Sequence, residues 1–188
     1  MTTQMIWLVT IAAVAVWAVW TYNRLVQARR VADEAWSGVD AQLKRRHDLI
    51  PNLVETVKGY GRHEKGTLEE LIALRGKAAG APSVPSEAAA RTEDAIGNML
   101  RRVLVLAENY PALRASENFV SLHNSLESIE SDLQMARRYY NGAIRDYSVL
   151  RESVPSNIIA RIFSFAPKPF FELSSEKEAE PPKVTFEK

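Results

Sequence analysis

Three histidines, His47, His63 and His123, are the side chains best suited to bind a metal or transfer a proton. They lie far apart in the sequence. His63 and Glu64 begin like the helix of a zinc protease, but Thr67 stands where the second histidine of that motif would be. No glutamate precedes any histidine by three residues, as the ligand pairs of a di-iron bundle require. A phosphate-binding glycine loop and a nucleophile elbow are also missing. We therefore predict no enzyme, no catalytic residue, no bound metal and no cofactor.

The densest charge feature is the basic run Lys44-Arg45-Arg46-His47. Lys44 and Arg45 are candidate contacts for an anionic partner or a lipid headgroup. A solvated helix face is the simpler interpretation, because Asp40 lies one helical turn before Lys44 and can pair with it. Over the whole chain, 24 basic residues balance 23 acidic ones, so the charge gives no nucleic-acid footprint.

The element that comes first in the chain is an apolar N-terminal segment. Residues 1–23 carry no charged side chain, and residues 5–22 are almost continuously apolar. A helix over that span is about 27 Å long, which suffices for a bilayer core. A secretory signal peptide would have a positive n-region, which is missing here. We therefore predict a retained transmembrane anchor. The residues chosen to mark it are Met5, Trp7, Trp17, Trp20 and Tyr22.

The orientation of this anchor follows from the charges beside it. Arg24, Arg29 and Arg30 follow the span, and no lysine or arginine precedes it. The positive-inside rule then favours a single-pass protein of the cell (inner) membrane with its main domain in the cytoplasm. The absence of cysteine fits either side of the membrane. The expected partners are the bilayer and an unidentified protein, and a homo-oligomer is left open.

Helical periodicity dominates after residue 24. Arg46 falls on the apolar seam of the first helix, between Leu43 and Ile50. We predict that Arg46 is a buried polar residue whose guanidinium either reaches solvent or pairs with a carboxylate. Glu127 and Glu130 are candidate partners. The seam consists of two coiled-coil registers: Leu25, Ala32, Val39, Leu53 and Tyr60, and Trp36, Leu43, Ile50 and Val57.

The first helix has two weak points, Pro51 and the glycines of residues 59–61. The apolar seam passes Pro51 without a change of phase, which predicts a kink there. At residues 59–61 two arrangements are open. A kinked helix gives three long helices and leaves residues 165–173 far from the bilayer, whereas a true corner gives four helices and returns that segment to the membrane. Helical spacing continues from residue 57 to residue 71, so we predict the kink.

The remaining sequence predicts two more long helices and a short C-terminal one. Residues 76–86 form a loop that ends in the N-cap Ser86, and Pro111 stops or bends the second helix. Ser116 begins the third helix, and Pro155 closes it. Aromatic residues that fall on the seams are expected in the core: Trp36, Tyr60, Tyr110, Tyr140 and Tyr147.

An apolar cluster follows Pro155. Three roles are open for it: docking on the bundle, contact with the membrane surface, or contact with a partner. From Ser174 the chain is charged and contains two prolines, which predicts a disordered tail. The cluster supplies the candidate interaction residues Ile158, Ile159, Ile162, Phe163, Phe165, Phe170 and Phe171.

Several strings carry a family resemblance, along with the short YNRLV over residues 22–26 and the ending from Pro155 to Leu173 with PPKVTF. The longer strings are AWSGVDAQLKRRHDLIPNLVETVKGYGRHE over residues 35–64, ENYPALRASENFVSLHNSLE over residues 108–127 and ARRYYNGAIRDY over residues 136–147. In these strings the chain resembles the LemA family, although His123 and Ser148 stand where that family more often has Gln and Asn. The resemblance implies a bacterial single-pass membrane protein with an antiparallel helical bundle and no established catalytic residues.

We therefore predict an all-α chain. Its divisions are a transmembrane anchor at residues 1–23, a LemA-like up-and-down antiparallel bundle at residues 24–173 and a disordered tail at residues 174–188. The bundle has three long helices, or four, and a short C-terminal helix. A non-enzymatic interaction or scaffold role in membrane organisation fits this architecture best. A membrane-linked sensor or signal-transducing module is the alternative, followed by a metal or lipid enzyme.

Overall fold

The computed structural model describes residues 2–60 and 64–171, and the regular structure in this part of the chain is entirely helical. The all-α prediction is therefore confirmed. The predicted disordered tail, residues 174–188, lies outside the described residues. The helices are α1 (Thr2–Lys58), α2 (Lys65–Ala79), α3 (Glu87–Ala107), α4 (Pro111–Arg114), α5 (Glu117–Glu152) and α6 (Ser156–Ile162).

The chain divides into two compact units, and the bounds of α1 and α5 extend across the division. The first unit is Met1–Asp48 with Asn124–Phe170, and the second is built on Leu49–His123 and includes Phe171. Within the first unit, α1 and α5 run antiparallel, because contacts move back along α5 as they move forward along α1. Leu25 shares a core cluster with Tyr147, Trp36 contacts Tyr140, and Arg46 pairs with Glu130.

The second unit has its own apolar core, in which α2 packs against α3. Ser86 begins α3 as its N-cap, because its hydroxyl accepts a hydrogen bond from the backbone N–H of Ala89 at 3.1 Å. The Tyr110 hydroxyl donates to Glu64 Oε1 at 3.3 Å. The core residues are Ile50, Leu53, Val54, Val57, Leu68, Leu71, Ala90, Ile96, Met99, Leu100, Val103, Ala107, Leu113 and Phe119.

The structure corrects the predicted continuous helix at residues 59–61. Helix α1 passes through Pro51 but ends at Lys58, and a separate helix begins at Lys65. Glycine has a low helix propensity, and a glycine directly follows Lys58. Tyr60 is consequently 44% exposed and not a core residue, since the helical register ends before it. The predicted loop at residues 76–86 also starts later, because α2 continues to Ala79.

Candidate functional site

The apolar N-terminal part of α1 is exposed. It is long and apolar enough to cross a membrane, by length and composition, and its most apolar 18-residue window is only 6% buried. Val16 is 71% exposed, and Trp7 is 66% exposed. The core helix of a soluble protein would bury such a run, so burial in the fold does not account for these side chains.

Packing begins abruptly at the end of this apolar part. Trp20 is 55% exposed, whereas Thr21 and Leu25 are buried. Trp17 and Ala18, which belong to the apolar run, are partly buried against a cluster of core residues. The apolar run is therefore in contact with the fold over its last turns. The core residues of this cluster are Leu25, Tyr147, Ile159, Ala160 and Phe165.

Aromatic rings collect at the same point. The ring of Tyr22 lies 4.7 Å from that of Phe163 and 5.8 Å from that of Phe165, between ring centroids. The Arg24 guanidinium lies 4.8 Å from the ring centroid of Trp20, in a cation–π arrangement. The C-terminal aromatic residues thus lie beside the end of the apolar run. For Phe165 the kinked-helix prediction is wrong, because it separated this residue from the apolar run, whereas the Phe165 ring lies beside Tyr22.

Helix α6 has two different faces. Ser156, Ile159 and Ala160 are buried, and the Ser156 hydroxyl lies 2.7 Å from the Leu150 carbonyl oxygen, to which it donates. The other side of α6 is apolar as well but faces outward. Its exposed residues are Ile158 at 53%, Ile162 at 66% and the following Phe163 at 56%.

Two tyrosines of α5 hold the segment that follows α6. The Tyr147 hydroxyl donates to the Ala166 carbonyl at 2.7 Å, and the Tyr140 hydroxyl donates to the Pro169 carbonyl at 2.8 Å. Lys168 also forms an ion pair with Asp33 of α1. These three contacts fix the segment against both helices. At its end, Phe170 is 41% exposed and Phe171 is buried.

The same environment shifts the acidity of both tyrosines. Burial, followed by the negative charge of Asp33, raises the pKa of Tyr140 to about 12. Burial also raises the pKa of Tyr147, with a further rise from Asp33 that Arg151 and Arg29 oppose. Both hydroxyls therefore remain protonated donors well above neutral pH.

The basic run of α1 separates into buried and exposed members. The side chain of Arg46 is 1% exposed, and its Nη1 donates to Glu130 Oε1 at 2.7 Å. Arg45 is 59% exposed and lies 3.7 Å from Asp132. Lys44 is 68% exposed and pairs with Asp40 at 2.6 Å. Only Arg46 is part of the packed interior, while Lys44 and Arg45 remain on the surface.

Within residues 2–60 and 64–171, no group of three or more histidine, cysteine, aspartate or glutamate residues is placed to hold a metal ion. The ring of His123 stacks on Phe119, with centroids 6.3 Å apart. His63 lies outside the described residues. The described geometry suits packing and surface contact, and we assign no catalytic role to it.

The structure brings Ile159, Phe163 and Phe165 of the predicted C-terminal cluster to the end of the predicted anchor. Lys44 and Arg45 belong to a different part of α1. Sequence reasoning placed the rings of Tyr140 and Tyr147 on a seam but missed their hydroxyl contacts. The acceptors lie 29 and 19 residues further along the chain, so helical periodicity gives no indication of them. It also missed the Asp33–Lys168 pair, which joins residues 135 positions apart.

The fold defines a class: an all-α protein with a candidate N-terminal membrane-spanning helix that continues into a helical bundle. The family model for the LemA family matches residues 35–186. The chain belongs to the LemA family, which is not known as an enzyme family. A comparison with curated proteins gave no match.

Proposed function

We propose that this protein is a single-pass membrane protein whose helical bundle acts as a non-enzymatic interaction or scaffold module. The observation that carries the proposal is the continuity of α1. One helix of 57 residues begins as an exposed apolar span and becomes a packed element of the fold with no linker. An anchor of this kind fixes the first unit at the membrane surface, where it can present contacts to a partner.

A cleaved signal sequence would also be apolar and N-terminal, but the packing favours a retained helix. Trp17 and Ala18 are partly buried against the cluster that contains Ile159 and Phe165. Cleavage after residue 18 would separate these two side chains from the fold. The contacts therefore support a helix that stays attached to the mature protein.

The proposed orientation places the bundle in the cytoplasm. Arg24, Arg29 and Arg30 follow the span and are exposed, as the positive-inside rule expects of the cytoplasmic side. The natural chain has no cysteine, so one introduced cysteine gives an unambiguous probe. We expect Met135→Cys to resist a membrane-impermeant maleimide in intact cells and to react after lysis. Labelling in intact cells would place the bundle on the outer side.

The interaction role is tested by crosslinking in the native membrane. A photoreactive amino acid at an exposed bundle position such as Arg45 should give one or a few discrete crosslinked products, identified by mass spectrometry. The same amino acid at the buried position Ile50 serves as the matched control and should give only crosslinks within the chain. Equal, diffuse labelling from both positions would contradict a specific interaction surface.

The unbroken helix also supports a second candidate, a sensor that passes a movement along α1. An insertion of two glycines after Val26 would interrupt the helix at the end of the span. A scaffold with this insertion should remain at the membrane and keep its crosslinks. A sensor should keep its location but lose any partner contact that depends on the membrane segment.

A further inference from the structure

We propose that α6 and Phe163 form a second membrane contact, in which Ile158, Ile162 and Phe163 insert into the interfacial layer of the bilayer that α1 spans. This inference rests on the proposed membrane anchor. It goes beyond that anchor because it assigns a lipid-contact role to a segment more than 130 residues further along the chain. In this proposal the lipid surface covers the apolar face formed by Ile158, Ile162 and Phe163.

The depth of α6 follows from what it packs against. The cluster that contains Ile159 and Ala160 contacts Trp17 and Ala18, which lie within the apolar span. Trp17 precedes Tyr22 by five residues, or about 7.5 Å along the helix axis. If Tyr22 lies at the membrane boundary, α6 cannot lie far out in water. Phe163, which directly follows α6, lies beside the Tyr22 ring, and this contact places the end of α6 at headgroup depth.

The outward face of α6 has the composition that this depth requires. Ile158 and Ile162 are one helical turn apart and lie on the same face, and Phe163 follows directly. All three are more than half exposed in the isolated chain. Exposed apolar groups that adjoin one another are more informative of a contact than scattered single ones. Transfer of this face from water into the interface would be favourable.

Charge and aromatic character support lipid as the occupant. Arg161 and Arg24 are exposed cations at the same end of the unit, and Arg24 lies against the Trp20 ring. Arginine and aromatic side chains together suit the headgroup region, since a guanidinium can bind phosphate while the rings lie among the upper acyl chains. The patch is also continuous with the span itself through Tyr22 and Phe163.

The test uses the full-length chain with single cysteines labelled by bimane, in two sets of vesicles, one whose lipids carry a shallow nitroxide quencher and one whose lipids carry a deep one. Three positions are compared: Ile162 on α6, Ile11 in the span and Met135 on α5. Met135 is 51% exposed and lies near Asp132, which contacts Arg45, about 35 Å along α1 from Tyr22. Relative to Met135→Cys, we expect Ile11→Cys to be quenched severalfold more strongly by the deep quencher, and Ile162→Cys severalfold more strongly by the shallow one.

The outcomes separate the two proposals. Strong quenching at Ile11 with water-like behaviour at Ile162 would leave the anchor intact and overturn the α6 contact. Weak quenching at Ile11 would overturn the anchor and this inference with it. Quenching at Ile162 that is weak in vesicles but appears in nanodiscs holding a single copy would assign the face to a second copy of the chain, which also overturns the lipid contact.

A second measurement guards against a labelled variant that does not fold. Ile158→Ser with Ile162→Ser should melt within a few degrees of the unmodified chain in detergent, because both side chains are more than half exposed. In vesicles, the Arg24–Trp20 end of the span should become more accessible to water, seen as a red shift of tryptophan emission. The Met135→Ser control should cause no such shift. An unchanged emission spectrum in the folded double variant would contradict insertion of α6.

Discussion

The two parts of α1 are equally helical, yet their side chains meet opposite surroundings. Before Thr21, apolar side chains such as Val9 are more than half exposed, whereas Leu25 and Val39 are fully buried. The change takes place within about one helical turn. Because both parts are rich in apolar residues, apolar content alone does not determine which side chains of α1 are buried.

The residues between the apolar ones distinguish the two parts. The first part is apolar on all sides, as a helix surrounded by lipid needs to be. The second part has an apolar stripe that repeats every seven residues, with charged residues on its other faces, which suits a helix packed on one side. One helix can thus suit two surroundings, lipid and the protein interior, when its pattern of apolar and charged residues changes along its length.

The largest expected effect comes from separating the two parts. A chain that starts at Ala28 should largely leave the membrane fraction, because it lacks the exposed apolar span and keeps only the smaller proposed contact of α6. It should also melt at a lower temperature than a chain that starts at Ala18, since it loses Leu25 from the core, where truncation of a leucine costs about 2–5 kcal/mol. Membrane fractionation and circular dichroism would measure both effects.

The comparison between the two shortened chains is the control for this prediction. Both lack most of the span, so both should be soluble and helical. A chain from Ala18 that remains bound to membranes would show that the span is not the principal anchor. Equal melting of the two chains would show that Leu25 and its cluster contribute little to the fold.

The next largest effect concerns a charge in the packed part. Arg46→Ala should destabilise the fold by about 3 kcal/mol, because it removes a buried side chain and leaves Glu130 without this ion pair. Glu130 is 39% exposed, so water can solvate the remaining carboxylate and keep the cost from rising further. Arg45→Ala is the matched control and should cost under about 1 kcal/mol. Equal, small melting shifts would show that Arg46 does not stabilise the interior.

A pair of identical substitutions compares the two parts directly. Val39→Ala should cost about 2 kcal/mol, because two methyl-sized groups leave a fully buried position. Val16→Ala removes the same atoms from a position that is 71% exposed and should leave the melting temperature in detergent nearly unchanged. A large effect at Val16 would mean that the apolar span packs against protein, and the distinction between the two parts of α1 would fail.

Much of this fold could be predicted because it follows from local pattern. The apolar span, the seven-residue seam and the N-cap Ser86 all depend on residues within a few turns of one another. The position of Arg46 on the seam is of the same kind. The pairing of Arg46 with Glu130, and not with Glu127, could not be predicted. It depends on the alignment of α1 with α5, which no spacing within either helix encodes.

The incorrect prediction at residues 59–61 shows where local pattern fails. Apolar spacing continued from Val57 to Leu71, and phase alone could not distinguish one kinked helix from two separate helices. The consequence was large, because the end of α1 decides whether Phe163 and Phe165 can reach Tyr22. Long-range contacts such as Tyr147 with Ala166 depend on that topology, so local sequence pattern could not predict them.

The smallest expected effect concerns the tyrosine hydroxyls that hold the C-terminal segment to the packed part. Folding favours neutral Tyr140, whose pKa rises to about 12 through burial and Asp33. Its contribution to stability is therefore fully present below the ordinary tyrosine pKa of about 10 and is lost as pH rises through the folded value. The melting temperature should fall more steeply between these pH values in the unmodified chain than in Tyr140→Phe.

At neutral pH the same substitution should cost about 1 kcal/mol, since the Pro169 carbonyl loses its donor. Tyr139→Phe, at a neighbouring position that is 62% exposed, should change neither the neutral stability nor the alkaline slope. If Tyr140→Phe and Tyr139→Phe gave the same alkaline slope, the Tyr140 hydroxyl could not be the group that links stability to high pH.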